Sequence, residues 1–382
     1  MAWIVPAELE EVMYAAARAA VGDPPLATAA LTRAIVDRSR RYTSERGRPA
    51  ADRAGDLAAR AVFFTIADAM KLAIPLGELA NRGALPAARP LRIVDLGAGC
   101  GAMSLGAIAA LPADIALAIA AIDRDPAALA IARAAVRDFA ARRGVAAAFA
   151  TRDADVAHGP LPAADLVVLG SVLNELPPDA ALALVVRALA AIGDDGAVIA
   201  VEPALRDTSR ALHQIRDSVV SAGQAQVFAP CTRAGAPCPA LADPDDWCHE
   251  DRAARLPPRT AELARLTHLR DGGMKFAYLV LRRRPLPLVA DAGPAWRVVS
   301  APRPAKGKLE VIGCSAAGRM PLRLLRRHRT ADNRSFEDAE RGDVLVVTGA
   351  EPDPAGARVE ITGEVRVARV LPAAPDRLRS RP

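Results

Sequence analysis

Apolar positions along this chain recur with two different spacings, and the change between them divides it. From residue 1 to about 88 they fall three and four apart, the spacing of helices that bury one face. Pro6-Ala7-Glu8-Leu9-Glu10 opens such a helix with acids in its first turn, and Ala27 to Arg41 and Ala54 to Leu72 continue the pattern. Between the last two lies SRRYTSERGRP, a polar, basic run around Tyr42 that reads as a surface loop, with contact to RNA phosphates as its functional alternative. From residue 89 short apolar runs alternate with Ala- and Leu-rich stretches. Leu91–Leu96, Ile115–Ile122, Ala146–Ala150, Asp165–Gly170 and Ala197–Val201 read as strands. Met103–Leu111, a segment opened by Asp125-Pro126 and running to about Arg143, another from Pro178, and Thr208–Ser221 closed by Gly223 read as helices. Such alternation predicts an α/β domain with a parallel sheet covered on both faces.

The rhythm then breaks. Residues 227–258 hold six prolines and three cysteines, too interrupted for regular structure. An irregular stretch of that length inside a domain is usually functional. Met274–Arg284 resumes as a strand, Pro285–Pro294 reads as a linker, and Trp296–Leu371 shows short apolar runs between Gly, Asp and Pro turns, the pattern of a small β-barrel or β-rich extension. The expected organisation is an N-terminal helical region (1–88), an α/β domain (89–284) with a cysteine-rich insertion (227–258), and a β-rich C-terminal region (295–372) that is basic at its start.

Charge changes the picture in one place. The 382 residues carry a formal net charge of +6, but Arg282 to Arg329 holds twelve Lys or Arg against Asp291 and Glu310. The remainder is mildly acidic. A basic segment on an acidic body points to a phosphate-rich partner, because clustered cations gain by counterion release; a solvated face is the alternative. Aromatic residues make up only 3%, which argues for backbone contacts rather than base stacking. No apolar run reaches the ~18 residues of a membrane span, and the N-terminus resembles neither a signal nor a transit peptide. A cytoplasmic protein without a membrane partner is expected.

The clearest chemistry lies in LRIVDLGAGCGA, Leu91 to Ala102, where a strand runs into Gly97, Gly99 and Gly101 and then into a helix. Glycines let a ligand approach the backbone, and the helix start offers unpartnered N–H groups. Asp123, closing the second strand, is placed to accept the hydroxyls of a ribose. The glycines alone fit a dinucleotide or a turn that only packs a helix onto a sheet. VDLGAGCG with Asp95, followed by AIDRDPAAL with Asp123, resembles the first two motifs of the class I S-adenosylmethionine-dependent methyltransferases. That resemblance implies a Rossmann-like fold, a glycine turn cradling the methionine part of the cofactor, Asp123 on its ribose, Asp153 near its adenine, and Ser171 facing the crevice. Methylation of an exocyclic amine is often served by an Asn-Pro-Pro-aromatic turn after the fourth strand. This chain has Asn174-Glu175-Leu176-Pro177 there. Asn174 and Glu175 would position or deprotonate a substrate nitrogen, or merely cap the next helix. No thiol is nominated as a nucleophile for carbon methylation.

Five cysteines occur: Cys100 in the glycine turn, then Cys231, Cys238, Cys248 and Cys314. Prolines stiffen the flanks of the middle three. Their spacing lacks the paired C-x-x-C knuckles of a zinc ribbon, while an iron–sulfur cluster tolerates irregular spacing; zinc and plain core cysteines are the alternatives. The combination APC, PCP, DWCH, KFAYLVLRR and Gly313-Cys314 resembles the methyltransferase-like family of the mitochondrial small ribosomal subunit, which has bacterial members. The likeness covers roughly 40–345 and is strongest over 90–106 and 228–284. It implies that Cys231, Cys238, Cys248 and Cys314 hold a [4Fe-4S] cluster, and that the protein acts in assembly of the small ribosomal subunit, either methylating its rRNA or a ribosomal protein or binding the cofactor without turnover, with the cluster structural. The chain departs from that family in having fewer histidines around the first two cysteines and a longer β-rich tail. As Cys314 is far down the chain, a shared cluster would pin the C-terminal segment onto the α/β domain.

Overall fold

The structure is a computed structural model that describes residues 3–43, 50–232, 236–286 and 294–371. A short strand, β1 (Trp3–Ile4), precedes helices α1 (Ala7–Val21) and α2 (Thr28–Thr43). A winding helical stretch follows: α3 (Arg53–Ala59), a π-helical turn (Arg60–Thr65), α4 (Ile66–Ala69), a 3-10 turn (Met70–Leu72) and α5 (Ala73–Asn81). The α/β region runs β2 (Leu91–Leu96), α6 (Ala102–Ala110), β3 (Leu117–Asp123), α7 (Pro126–Arg143), β4 (Ala147–Asp153), β5 (Ala164–Gly170), α8 (Pro178–Ala191), β6 (Ile192–Pro203) and α9 (Arg206–Ser221). It continues with β7 (Gln226–Ala229), β8 (Glu250–Arg255), α10 (Pro258–Thr267) and β9 (Gly273–Arg282).

These strands form one sheet in the order β4-β3-β2-β5-β6-β9-β8-β1, with β7 also paired to β9. β4, β3, β2, β5 and β6 are parallel; β9 runs antiparallel between β6 and β8. This is a doubly wound, Rossmann-like sheet with its switch point at β2, and ligands in such sheets lie beyond the carboxyl ends of the strands. Alternation along the strands feeds two cores. Ile93, Leu166, Val168 and Ile199 pack with α1, α6, α7 and the N-terminal helices, while Val94, Val167, Leu169 and Val198 pack with α8 and α9. Being covered on both faces, β5 is apolar throughout apart from Asp165, which is held by Arg92 at 2.7 Å. As the sequence predicts, Asp125 caps α7 by accepting from the N–H groups of Ala127 and Ala128.

Two expectations need correction. The polar run around Tyr42 is not a loop as far as Thr43: α2 continues, with Arg41 bridging Asp37 on its own helix and Asp56 on α3. Residues 44–49 of that run lie outside the described residues. The insertion 227–258 is not wholly irregular either. Its ends are β7 and β8, both recruited to the edge of β9 that β6 leaves free, one at each end of that strand, and the described residues between them include a 3-10 turn (Pro239–Leu241). Most of the segment read as a linker, 287–293, lies outside the described residues.

A second sheet comprises β10 (Ala295–Val298), β11 (Arg303–Ala305), β12 (Lys308–Ser315), β13 (Gly318–Leu325), β14 (Val344–Thr348), β15 (Val359–Ile361) and β16 (Arg366–Leu371). Its order is β15-β13-β12-β10-β14-β16, with β11 on β12, around a core of its own that includes Trp296, Leu322 and Phe336. It docks through buried charge. Arg297 on β10 pairs with Glu78 of α5 at 2.6 Å and donates to the Pro230 carbonyl at 2.7 Å. Arg341 donates to the His249 carbonyl, and Arg319 pairs with Asp246. Among the described residues no helix is long and apolar enough to cross a membrane.

Candidate functional site

A crevice opens at the carboxyl ends of β2, β3, β5 and β6. Gly97, Gly99 and Gly101 all have positive φ. At Gly97 the requirement is double: φ is +66°, and a Cβ there would stand 2.3 Å from a Val172 methyl group. Gly101, at +91°, precedes α6, and a Cβ on it would stand 3.1 Å from the Ala132 methyl group. Behind the turn Asp95 is fully buried. One carboxylate oxygen accepts from the Ser104 hydroxyl at 2.6 Å and backbone N–H at 3.0 Å, tying strand to helix; the other is buried with no hydrogen-bond partner among the described residues. Burial pushes its pKa up to about 6, with the Ser104 hydrogen bonds opposing.

Asp123 is half-buried and accepts from the N–H of Gly99 at 2.8 Å and of Asp125 at 2.9 Å, so it braces the turn from the neighbouring strand. Asp153, its register partner on β4, is exposed beside it. Ser171 follows β5 with φ +60°, an unusual conformation for a non-glycine residue. Asn174 donates from its amide to Glu202 at 2.6 Å, and Glu175 on the same 3-10 turn is exposed. Of the seven cofactor-site residues named from the sequence, six gather at the carboxyl ends of β2, β3 and β5, with Asp95 buried behind the glycine turn; Asp153 stands beside Asp123 at the end of β4.

Three residues here carried no site role in the sequence reading. Glu202, at the end of β6 and 1% exposed, accepts from the N–H groups of Val172 (3.1 Å) and Leu173 (2.9 Å) as well as from Asn174. It fixes the turn after β5, and burial pushes its pKa up to about 7. Tyr42, from the end of α2, sets its phenol against Asn174 and Ser171, and burial followed by the charges of Glu202 and Glu175 raises its pKa well above the ordinary value. Arg60, from the π-helical turn, pairs with Asp125 at 2.5 Å and reaches over Gly99. An acid closing a strand of this sheet, as in VEP, was the available signal for Glu202. Nothing local marks Tyr42 or Arg60.

The cysteines lie elsewhere. Cys100 is buried in the glycine turn, its thiol pushed up to about 11 by burial. Cys231 follows β7, Cys238 and Cys248 sit on the loop before β8, and Cys314 is on β12. Burial first, then the charges of Cys314, Cys231 and Cys238, drive the Cys248 thiol well up, with Arg319 opposing. Thr232 donates to the Cys314 carbonyl at 3.2 Å, joining the loop to β12. As they stand, no three His, Cys, Asp or Glu side chains among the described residues are arranged to hold a metal ion.

The basic stretch is largely paired. Eight of its twelve cations meet carboxylates or carbonyls, including Arg284 with Asp194, Arg297 with Glu78, Arg319 with Asp246 and Arg323 with Glu360.

Compared with known proteins, residues 65–345 match the model of the family described as mitochondrial small ribosomal subunit Rsm22. No curated protein matches the chain by sequence. Among solved structures it is similar to magnesium protoporphyrin IX methyltransferase from Synechocystis with bound S-adenosylmethionine, at 14% identity and a TM-score of 0.37 over 65% of this chain and 90% of that one. It is also similar to the plantazolicin methyltransferase BpumL in complex with S-adenosylhomocysteine, at 12% identity and a TM-score of 0.36 over 72% and 97% of the two chains. The fold assignment rests on the strand order.

Proposed function

Since the chain belongs to the mitochondrial small ribosomal subunit Rsm22 family, we propose that it is an S-adenosylmethionine-binding, methyltransferase-like protein that acts on or with a small ribosomal subunit. The observation that carries the cofactor reading is Asp95. A buried carboxylate oxygen with no donor among the described residues, behind a glycine turn braced by Asp123, fits a ligand that brings an ammonium group and a ribose. In this reading Asp95 and the turn hold the amino-acid end, Asp123 the ribose and Asp153 the rim by the adenine. When bound, the cofactor supplies an electrophilic methyl group. Glu202 holds Asn174, and Asn174 with Tyr42 and Ser171 forms the polar wall that a methyl acceptor would meet.

The same wall favours a second reading, a cofactor-binding assembly factor without turnover. The Asn174 amide and both oxygens of Glu202 are committed to each other and to backbone, and Glu175 turns to solvent. Glu202, its carboxylate filled by these donors, is not free to take a proton from an acceptor.

For the cysteines we propose a [4Fe-4S] cluster, with zinc as the alternative occupant. The donor set fits in kind: thiols from separate segments share one neighbourhood, and Arg216, Arg319 and Arg341 stand near enough to offset thiolate charge. Iron, acid-labile sulfide and zinc, measured on protein purified without air, decide this. Iron and sulfide lost in Cys248→Ser support the cluster; stoichiometric zinc makes the site purely structural; neither metal in either protein removes the centre.

Titration calorimetry with S-adenosylmethionine, followed by transfer of a radioactive methyl group to immature small subunits, tests the main reading. Binding with transfer supports an enzyme, and binding of both cofactor and subunit without transfer supports the assembly factor. Absence of cofactor binding to the wild type overturns both.

A further inference from the structure

The second sheet closes on itself. Its two ends in the strand order, β15 and β16, are consecutive in the chain, separated only by residues 362–365. Taken as one bent fifth strand, they complete a five-stranded barrel with β10, β12, β13 and β14 as strands one to four. Strand one pairs antiparallel with two and four, two with three, and the fifth parallel with three and antiparallel with four. The 3-10 turns Arg326–His328 and Arg334–Phe336 lie between strands three and four. That connectivity is the OB-type barrel, whose strands two and three and whose first loop are a recurrent surface for oligonucleotides.

The unpaired charge of the basic stretch falls at this surface. Arg303 on β11 and Lys306 just after it belong to the connection between strands one and two; Arg326 and Arg327 follow strand three. The Arg326 N–H donates to the Gly307 carbonyl at 2.8 Å, which brings the two groups together at one end of the barrel. All four are exposed, and none has a carboxylate partner among the described residues. Lys308 and Arg329 flank them and are held by Glu310 and Glu337. The barrel's aromatic residues, Trp296 and Phe336, are both in its core, so bases find no exposed ring to stack on.

We infer that this barrel end binds the phosphodiester backbone of RNA, through Arg303, Lys306, Arg326 and Arg327. The identification of the polyanion as RNA rests on the ribosomal reading above; the barrel topology and the charge do not. Guanidinium forks suit phosphate oxygens, and a backbone-only interface is steeply salt-dependent.

The test is fluorescence anisotropy of the full-length protein with a labelled single-stranded RNA, and DNA of the same sequence, over a salt series. The variant Arg303→Ala/Lys306→Ala/Arg326→Ala/Arg327→Ala is expected to bind RNA at least about tenfold more weakly, with a salt slope shallower by about three. Arg326→Lys/Arg327→Lys should keep the wild-type slope. DNA bound as well as RNA, and lost in the same variant, supports the surface with the sugar unread. Unchanged affinity and slope in the four-residue variant overturn it, as does displacement of RNA by polyglutamate at equal charge, which would mark an acidic-protein site. All four side chains are exposed, so the thermal unfolding midpoint should not move. If the wild type binds RNA but not immature subunits, the ribosomal reading fails and this surface stands; if both proteins bind subunits equally, the reverse holds.

Discussion

Asp95 is a carboxyl that the fold prefers protonated. Its pKa rises from 3.8 to about 6, so between those values the folded chain binds more protons than the unfolded one, and this group's contribution to stability falls as pH rises. The cost levels off above pH 6 at no more than about 3 kcal/mol. Asp95→Asn should therefore match the wild type in urea unfolding near pH 4 and become the more stable of the two above pH 6, while its affinity for S-adenosylmethionine drops by at least about tenfold. Equal affinity would detach Asp95 from the cofactor. Gly97 makes a different demand. Gly97→Ala combines a left-handed backbone with the Val172 contact and should cost roughly 2–4 kcal/mol; adding Val172→Ala should return only the steric part, as denaturant midpoints would show. At this scale the glycines, Asp95 and Asp123 were readable because a turn and a strand end announce them within a few residues. Tyr42 was not, since its partners Asn174 and Ser171 lie far along the chain.

Among the elements, α9 organises the cysteine loop. Arg210 on that helix donates to the carbonyls of Ala240, Asp243 and Asp246, and Asp217, about two turns further along the same face, accepts from the Cys238 N–H at 2.9 Å. A loop with so many prolines has few N–H groups to satisfy its own carbonyls, so the helix supplies the donors. Arg210→Ala should leave the sheet intact by circular dichroism and yet make the segment between β7 and β8 susceptible to limited proteolysis. An unchanged cleavage pattern would show that the loop is held by other contacts. The recruitment of β7 and β8 to β9 was hidden for a related reason: Glu250–Arg255 is charged and short, without the apolar alternation that marks a strand, and it pairs only because β9 presents an open edge.

For the whole molecule the junction between the two sheets is a buried ion pair. Glu78 and Arg297 are almost fully covered, and Arg297 spends its other donors on the Pro230 and Gly342 carbonyls. Removing one partner strands a charge: Arg297→Met should destabilise by roughly 3–5 kcal/mol, and Glu78→Gln added to it should restore part of that in guanidinium titrations. Cys248→Ser, if a cluster joins loop to barrel, should make the barrel more susceptible to protease; unchanged proteolysis would limit the centre to a local role. By itself the sequence determined the parallel α/β order, the glycine turn with its two acids, and the presence of a β-rich C-terminal region. Each of those is written in local periodicity, in turn chemistry or in spacing along a few residues. Only the tertiary structure decided that α2 brings Tyr42 to Asn174 and Ser171, that Glu202 locks Asn174, that Cys314 on β12 meets the loop after Cys231, and that most of the basic stretch is spent on internal partners. Those facts depend on which distant segments share space, and pairing across long loops leaves no period in the chain to read.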